Sequence, residues 1–295
     1  ETGSGFGGKQ RGEVETEAAR VALANPGAPI RIAWTREEEF ERSYFRPAGL
    51  MSMAAALDSD GRIEAWEHHN YCSGPSGLVP PYDFAHHWCG FHRTASPLRH
   101  GSYRSLASVA NTFAREMHME ECALAAKIDP LDYRLLHVKN ERLREVAERG
   151  AEKFGWAKRK NAGVSLTIEK NGHLACFVAV EGPRVTEALI VADFGAALNP
   201  GNLRNQIEGG FIQSLGGALF ERIRYGSTRI LNASLSRYRV PRFSDVPPKF
   251  DVLLIDRREI EPAGAGEAPI TIGAPAIAAA MSRQRGQRLR HLPLT

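Results

Sequence analysis

The sequence has no clustered cysteines, no long apolar run and no marked excess of charge, and each lack excludes a class of function. Its four cysteines (Cys72, Cys89, Cys122 and Cys176) stand far apart in 295 residues and form no C-x-x-C. Iron–sulfur and structural zinc sites need clustered thiolates, so the chain holds neither by itself, and the cysteines read as reduced core thiols. No apolar run nears the ~20 residues that span a bilayer. The 38 basic and 34 acidic residues leave a formal charge of +4. Spread over this length, that excess points to no nucleic-acid or membrane partner. There is no internal repeat and no low-complexity tract. What remains is ordinary globular composition, 43% hydrophobic and 24% charged, with enough chain for a large core.

Pattern and punctuation divide the chain into elements. Residues 13–24 read as a helix stopped by Asn25-Pro26-Gly27, residues 30–34 as a strand, and Thr35-Arg36-Glu37-Glu38 as a capped helix start. Residues 51–57 and 62–69 pair as a hairpin across Asp58-Ser59-Asp60-Gly61. Residues 71–103 are aromatic, rich in glycine and proline, and irregular. Helices follow over 109–127, from Asp129-Pro130 onward, and over 141–154. Lys158-Arg159-Lys160 reads as a solvated linker, giving domains 1–158 and 159–295. The second holds strands over 163–169, 174–180, 185–192 and 250–256, a helix entered at Asn199-Pro200, and an Ala-rich helix over 276–281. The expected class is α+β, two layered domains each mixing helix and sheet.

Several stretches carry chemistry. Gly5, Phe6, Gly7 and Gly8 lie in a glycine-rich turn whose free N–H groups suit an oxyanion, although the spacing is neither a P-loop nor a dinucleotide fingerprint. His68, His69, His86, His87 and His92 are better read as aromatic packing in a cleft than as metal ligands. Neighbours on a strand point to opposite faces, and no carboxylate stands at ligand spacing. Arg99 and Arg104, beside Gly101 and Tyr103, suit an anionic or π-rich ligand. Gln206 and Glu208 fall early in a helix. Glu267 lies in Pro262-Ala263-Gly264-Ala265-Gly266-Glu267-Ala268-Pro269, where Gly264 and Gly266 let the backbone approach a ligand. On local grounds Glu267 is either a solvated turn residue or a presented carboxylate.

Taken in order, these stretches resemble the molybdopterin-binding large subunit of the xanthine dehydrogenase/aldehyde oxidase family, in the branch of isoquinoline 1-oxidoreductase and nicotinate dehydrogenase. The resemblance runs through Gly5-Phe6-Gly7-Gly8-Lys9, Arg46-Pro47-Ala48, Pro97-Leu98-Arg99 to Arg104, Asn111-x-Phe113-Ala114-x-Glu116 and Asp129-Pro130-Leu131-Asp132-Tyr133-Arg134. It continues in Asp193-Phe194-Gly195, Asn199-Pro200, Gln206-Ile207-Glu208-Gly209-Gly210, Gly264-Ala265-Gly266-Glu267 and Arg288-Leu289-Arg290-x-Leu292-Pro293. It implies a molybdenum cofactor, as molybdopterin or its cytosine dinucleotide, bound between the two domains, with the metal held by the pterin dithiolene and by no side chain. The implied reaction is hydroxylation of an N-heteroaromatic or aldehyde carbon with oxygen from water, with hydride passing to the molybdenum centre. Glu267 is the implied base, and Gly5, Phe6, Gly7, Gly8, Arg104, Gln206, Gly264 and Gly266 the implied cofactor contacts. The implied partners are a small-molecule substrate, a [2Fe-2S] iron–sulfur subunit and the remaining part of the large subunit. The compartment stays open between bacterial cytoplasm and periplasm. The chain opens at Glu1, inside the glycine motif, which reads as part of a larger subunit.

The sequence also departs from the family pattern. Ala107 stands where glycine is usual, and Ser282-Arg283-Gln284-Arg285 puts charge on a helix that is usually apolar there. These departures motivate an alternative, a truncated or degenerate non-catalytic relative acting as an assembly or binding module.

Overall fold

A computed structural model describes residues 12–294. Two short helices, α1 (Glu13–Ala24) and α2 (Arg36–Arg42), lead into a three-stranded sheet of β1 (Leu50–Leu57), β2 (Ile63–Tyr71) and β3 (His86–His92). Helices α3 (Ser108–Ala126), α4 (Pro130–His137) and α5 (Glu141–Phe154) follow. A four-stranded sheet then forms in the order β4 (Ala162–Glu169), β5 (Gly172–Glu181), β6 (Arg184–Asp193), β7 (Lys249–Ile255). Helix α6 (Pro200–Leu219) joins β6 to β7, and α7 (Ile270–Arg285) follows the Glu267 loop.

Local chemistry accounts for most boundaries. Thr35 caps α2 in a complete capping box with Glu38. The side chains of Asp129, Asn140 and Asn199 cap α4, α5 and α6, and Gly155 ends α5 in the left-handed region.

The four-stranded sheet is buried on both faces, and neighbouring residues of β5 serve two different cores. Leu174, Cys176 and Val178 join Phe211, Leu215 and Ile277 of α6 and α7. Ala175 and Phe177 join Val146, Ala147 and Phe154 of α5. Helix α7 lies directly on β4: a side chain at Gly163 would come within 2.0 Å of the Ala276 carbonyl, and Ser165 Oγ donates to the Ile272 carbonyl at 2.5 Å. Helices α6 and α7 close on each other through Gly210, whose missing Cβ would stand 2.7 Å from Pro269, and through Ser214, which accepts from Ala274 N at 2.8 Å.

Three expectations need correction. Residues 30–34 alternate in burial as a strand would, but no described strand lies beside them, so no ladder forms. The stretch expected to be irregular contains β3, which pairs parallel to β2 after a crossover without a helix. Its sequence, His-His-Trp-Cys-Gly-Phe-His, has no apolar alternation to reveal it. Helix α7 begins six residues before Ala276 and contains Pro275. Burial of every residue from Ile270 to Met281 outweighs the poor helix propensity of its β-branched, glycine and proline residues.

Candidate functional site

The side chains with unexplained chemistry converge where the β4–β5 turn, the start of α3, the middle of α6 and the loop before α7 meet. Arg104 is the clip. Its Nε donates to the Gly266 carbonyl, its Nη1 to Gln213 Oε1 at 3.0 Å, and its Nη2 to both the carbonyl and Oε1 of Gln206 at 3.1 Å. Burial lowers the Arg104 pKa from its ordinary value, while Tyr103 and Glu267 oppose the shift. Four protein acceptors occupy this guanidinium, so it ties the glutamate loop to α6. Arg99 turns elsewhere, over the Tyr44 ring and onto Glu13.

Glu267 is two-fifths exposed and held by both carboxylate oxygens. Ser105 N donates to Oε1 at 3.3 Å, and Lys170 Nζ stands 3.5 Å from Oε2. Its carbonyl accepts from Ile270 N at 3.2 Å, which joins the loop to the first turn of α7. Behind the loop, Asp193 and Gly195 set the backbone. Gly195 adopts φ +76, and a Cβ there would lie 2.4 Å from the Glu261 carbonyl. The fully buried Asp193 carboxylate accepts from Gly195 N, Arg142 and Arg257. Burial pushes its pKa up, but the Arg142, Gly195 and Arg257 hydrogen bonds prevail and hold it at about 2. Ala263 N then donates to the Phe194 carbonyl, fixing the chain that runs to Glu267.

Arg104, Gln206, Gly266 and Glu267 are thus brought together, with Gly264 on the same loop. Gly5, Phe6, Gly7 and Gly8 lie outside the described residues. Sequence reasoning missed Ser105, Lys170 and Gln213. A signal existed for Gln213, which follows Gln206 by seven residues on one helix face; none existed for the other two.

Other motif residues turn out to be architectural. Glu116 and Arg134 are buried and paired at 2.8 Å. Glu116 also accepts from Tyr82 OH, Leu166 N and Arg115. Asn111 bonds Asn70 and the carbonyls of Gly74 and Ser76. Arg290 ties the last residues to Glu121 on α3. The unusual charge at Arg283 is neutralised by Glu120 at 2.6 Å and packs over Trp156. Ala107 has φ −73 and ψ −14, an ordinary helical conformation that its side chain does not strain. His69, Tyr71, Trp88 and His92 stack on one another. Among the described residues no three His, Cys, Asp or Glu side chains are placed to hold a metal, and no helix is long and apolar enough to cross a membrane.

Comparison with known proteins gives a consistent set. Residues 1–138 and 181–247 match two models that are each described as a molybdopterin cofactor-binding domain. The chain is 26% identical to a nicotinate dehydrogenase subunit from Pseudomonas putida, over 90% of this chain and 27% of that protein. It is 29% identical to the beta subunit of isoquinoline 1-oxidoreductase from Brevundimonas diminuta, over 99% of this chain and 42% of that one. The chain therefore spans less than half the length of these relatives. Its fold matches quinoline 2-oxidoreductase from Pseudomonas putida 86 with a TM-score of 0.82 at 14% identity, over 97% of this chain and 65% of that one.

Proposed function

The chain belongs to the molybdopterin cofactor-binding family of molybdenum-containing oxidoreductases, and from that premise we propose that it forms part of the cofactor-binding and catalytic portion of a molybdenum hydroxylase. One observation supports this reading above the others: the clip of Arg104 on Gln206, Gln213 and Gly266 that presents Glu267. The residues present fit the cofactor. Space is open where side chains at Gly264 and Gly266 would project, and among the described residues nothing accepts from their N–H groups. Such free donors suit the oxygens of a pterin or its phosphate. Gln206, its Oε1 fixed by Arg104, keeps its amide N–H groups for the ligand. The cofactor would lie between segments 1–158 and 159–295, since Arg104 and Ser105 come from one and Gln206, Gly266 and Glu267 from the other.

Bound there, the pterin-held molybdenum would supply the two-electron oxidant and activate water. Glu267 would be the carboxylate that accepts a proton at its side-chain oxygen. Ser105 N and Lys170 fix the plane and position of its carboxylate, one on each oxygen. Arg104 keeps the loop from swinging away. The substrate is an N-heteroaromatic compound or an aldehyde. Electrons leave to an iron–sulfur subunit, and the rest of the large subunit completes the pocket.

The test is made on the full-length subunit co-expressed with its partners. Bound molybdenum and pterin are expected, and Glu267→Gln should retain both while losing turnover. A well-folded complex devoid of molybdenum and pterin would contradict the assignment.

A further inference from the structure

Glu169 and Lys170 are neighbours at the end of β4, and neither is explained by the fold. Glu169 is a buried carboxyl, 9% exposed, with no basic group as its ion-pair partner among the described residues. It instead accepts from Ser105 Oγ at 3.4 Å and from Ser108 Oγ at 2.9 Å, at the first turn of α3. An acceptor at a helix N-terminus is favoured by the helix dipole, but this one also grips the residue whose N–H reaches Glu267. Lys170, half exposed, reaches the other oxygen of Glu267. Both holds on Glu267 therefore lead back to Glu169, one through the Ser105 hydroxyl and one through the peptide bond to Lys170.

Backbone strain marks the same place. Six described non-glycine residues have positive φ, and four of them lie at this junction: Ser105 at 66, Leu106 at 52, Lys170 at 51 and Asn171 at 63. Left-handed backbone is unfavourable for residues with a Cβ, and strain of this kind gathers where a side chain must be aimed. Lys170 and Asn171 form the whole two-residue turn between the Glu169–Gly172 pair. A left-handed pair is what that hairpin demands, and glycine or asparagine would be the cheap choice at its first position. A lysine there aims an ammonium at Glu267 instead.

We infer that Glu169 and Lys170 are positioning residues for Glu267: Glu169 sets the Ser105 N–H through the Ser105 hydroxyl, and Lys170 holds the second carboxylate oxygen. The inference rests on the reading of Glu267 as the base. In the cofactor-loaded complex, Lys170→Met should lower kcat about tenfold, with KM changed less than twofold, because a base moved by about 1 Å loses up to ~100-fold. Lys170→Arg should restore most of that loss. Glu169→Ala should lower kcat further, and Glu169→Gln, which keeps an acceptor, should recover part of it. Molybdenum and pterin content should not change. A readout independent of activity is amide exchange at Ser105 in the full-length complex, which should speed up in Glu169→Ala and in Glu267→Ala. Lys170→Met is on the surface and keeps the test decisive if Glu169→Ala does not fold. If Glu267→Gln is inactive while Lys170→Met has normal kcat and Glu169→Ala leaves Ser105 exchange unchanged, the positioning inference fails alone. If Glu267→Gln turns over normally, the base assignment fails first.

Discussion

At the scale of single residues, a motif match says that a side chain matters without saying how. Glu116 and Glu267 both stand in motifs, yet one is wholly buried among Arg134, Arg115, Tyr82 and Leu166 N, and the other is two-fifths exposed. Removing one partner of a buried pair strands the other charge, at a cost of roughly 3–5 kcal/mol. Glu116→Ala should therefore lower the urea-unfolding free energy by about that amount, and a loss below about 1 kcal/mol would show that Arg134 finds another partner. The Gly264-Ala265-Gly266 run drew notice to Glu267, but locally it read equally as a solvated turn residue, and only the family resemblance gave it the role of a base. Ser105 and Lys170 were not legible: a serine after an arginine and a lysine in a turn are ordinary surface choices, and only the fold brings them onto Glu267.

At the scale of elements, the site depends on how closely α6 and α7 approach. Gly210 is the contact that sets this distance, since a Cβ there would stand 2.7 Å from Pro269 and 3.1 Å from Ile270 N. Gly210→Ala should push the helices apart, costing about 1–3 kcal/mol as overpacking does. It should also loosen Gln206 from Gly266, seen as weaker cofactor retention. Gly264→Ala is the counterpart. Its Cβ would meet nothing within 4 Å, so stability should stay within about 0.5 kcal/mol while the cofactor surface is obstructed. Thermal melts of the two variants separate these outcomes, and equal melts would contradict the packing account. Helix α4 was readable because Asp129-Pro130 announces its start. Strand β3 was not, because parallel pairing to β2 is decided by tertiary contact and leaves no alternation in His86 to His92.

At the scale of the molecule, buried ionisable groups make stability depend on acid. Burial, aided by Arg115 for His68 and by Arg142 for His173, lowers both imidazoles from 6.5 to about 4. Below pH 6.5 the unfolded chain takes up these protons and the folded chain does not. Stability should fall between pH 6.5 and 4, by on the order of 3 kcal/mol for each histidine. Asp193 acts lower down: its folded value of about 2 lies under the ordinary 3.8, so its contribution is present above pH 3.8 and is lost as pH falls toward 2. Unfolding free energies measured from pH 7 to 4.5 should decline steadily, and a flat profile would contradict the buried neutral histidines. The overall α+β class and most of the elements, though not β3, could be read from the sequence, because punctuation and periodicity are local. The convergence of Arg104, Gln206 and Glu267, far apart in the chain, was reachable only through the family resemblance. The account turns on Glu267, and the most direct measurement is turnover per bound molybdenum in the full-length Glu267→Gln complex. Loss of a general base predicts a fall of about 100- to 10,000-fold with metal and pterin content unchanged; turnover within a few-fold of the unaltered complex would contradict the central claim.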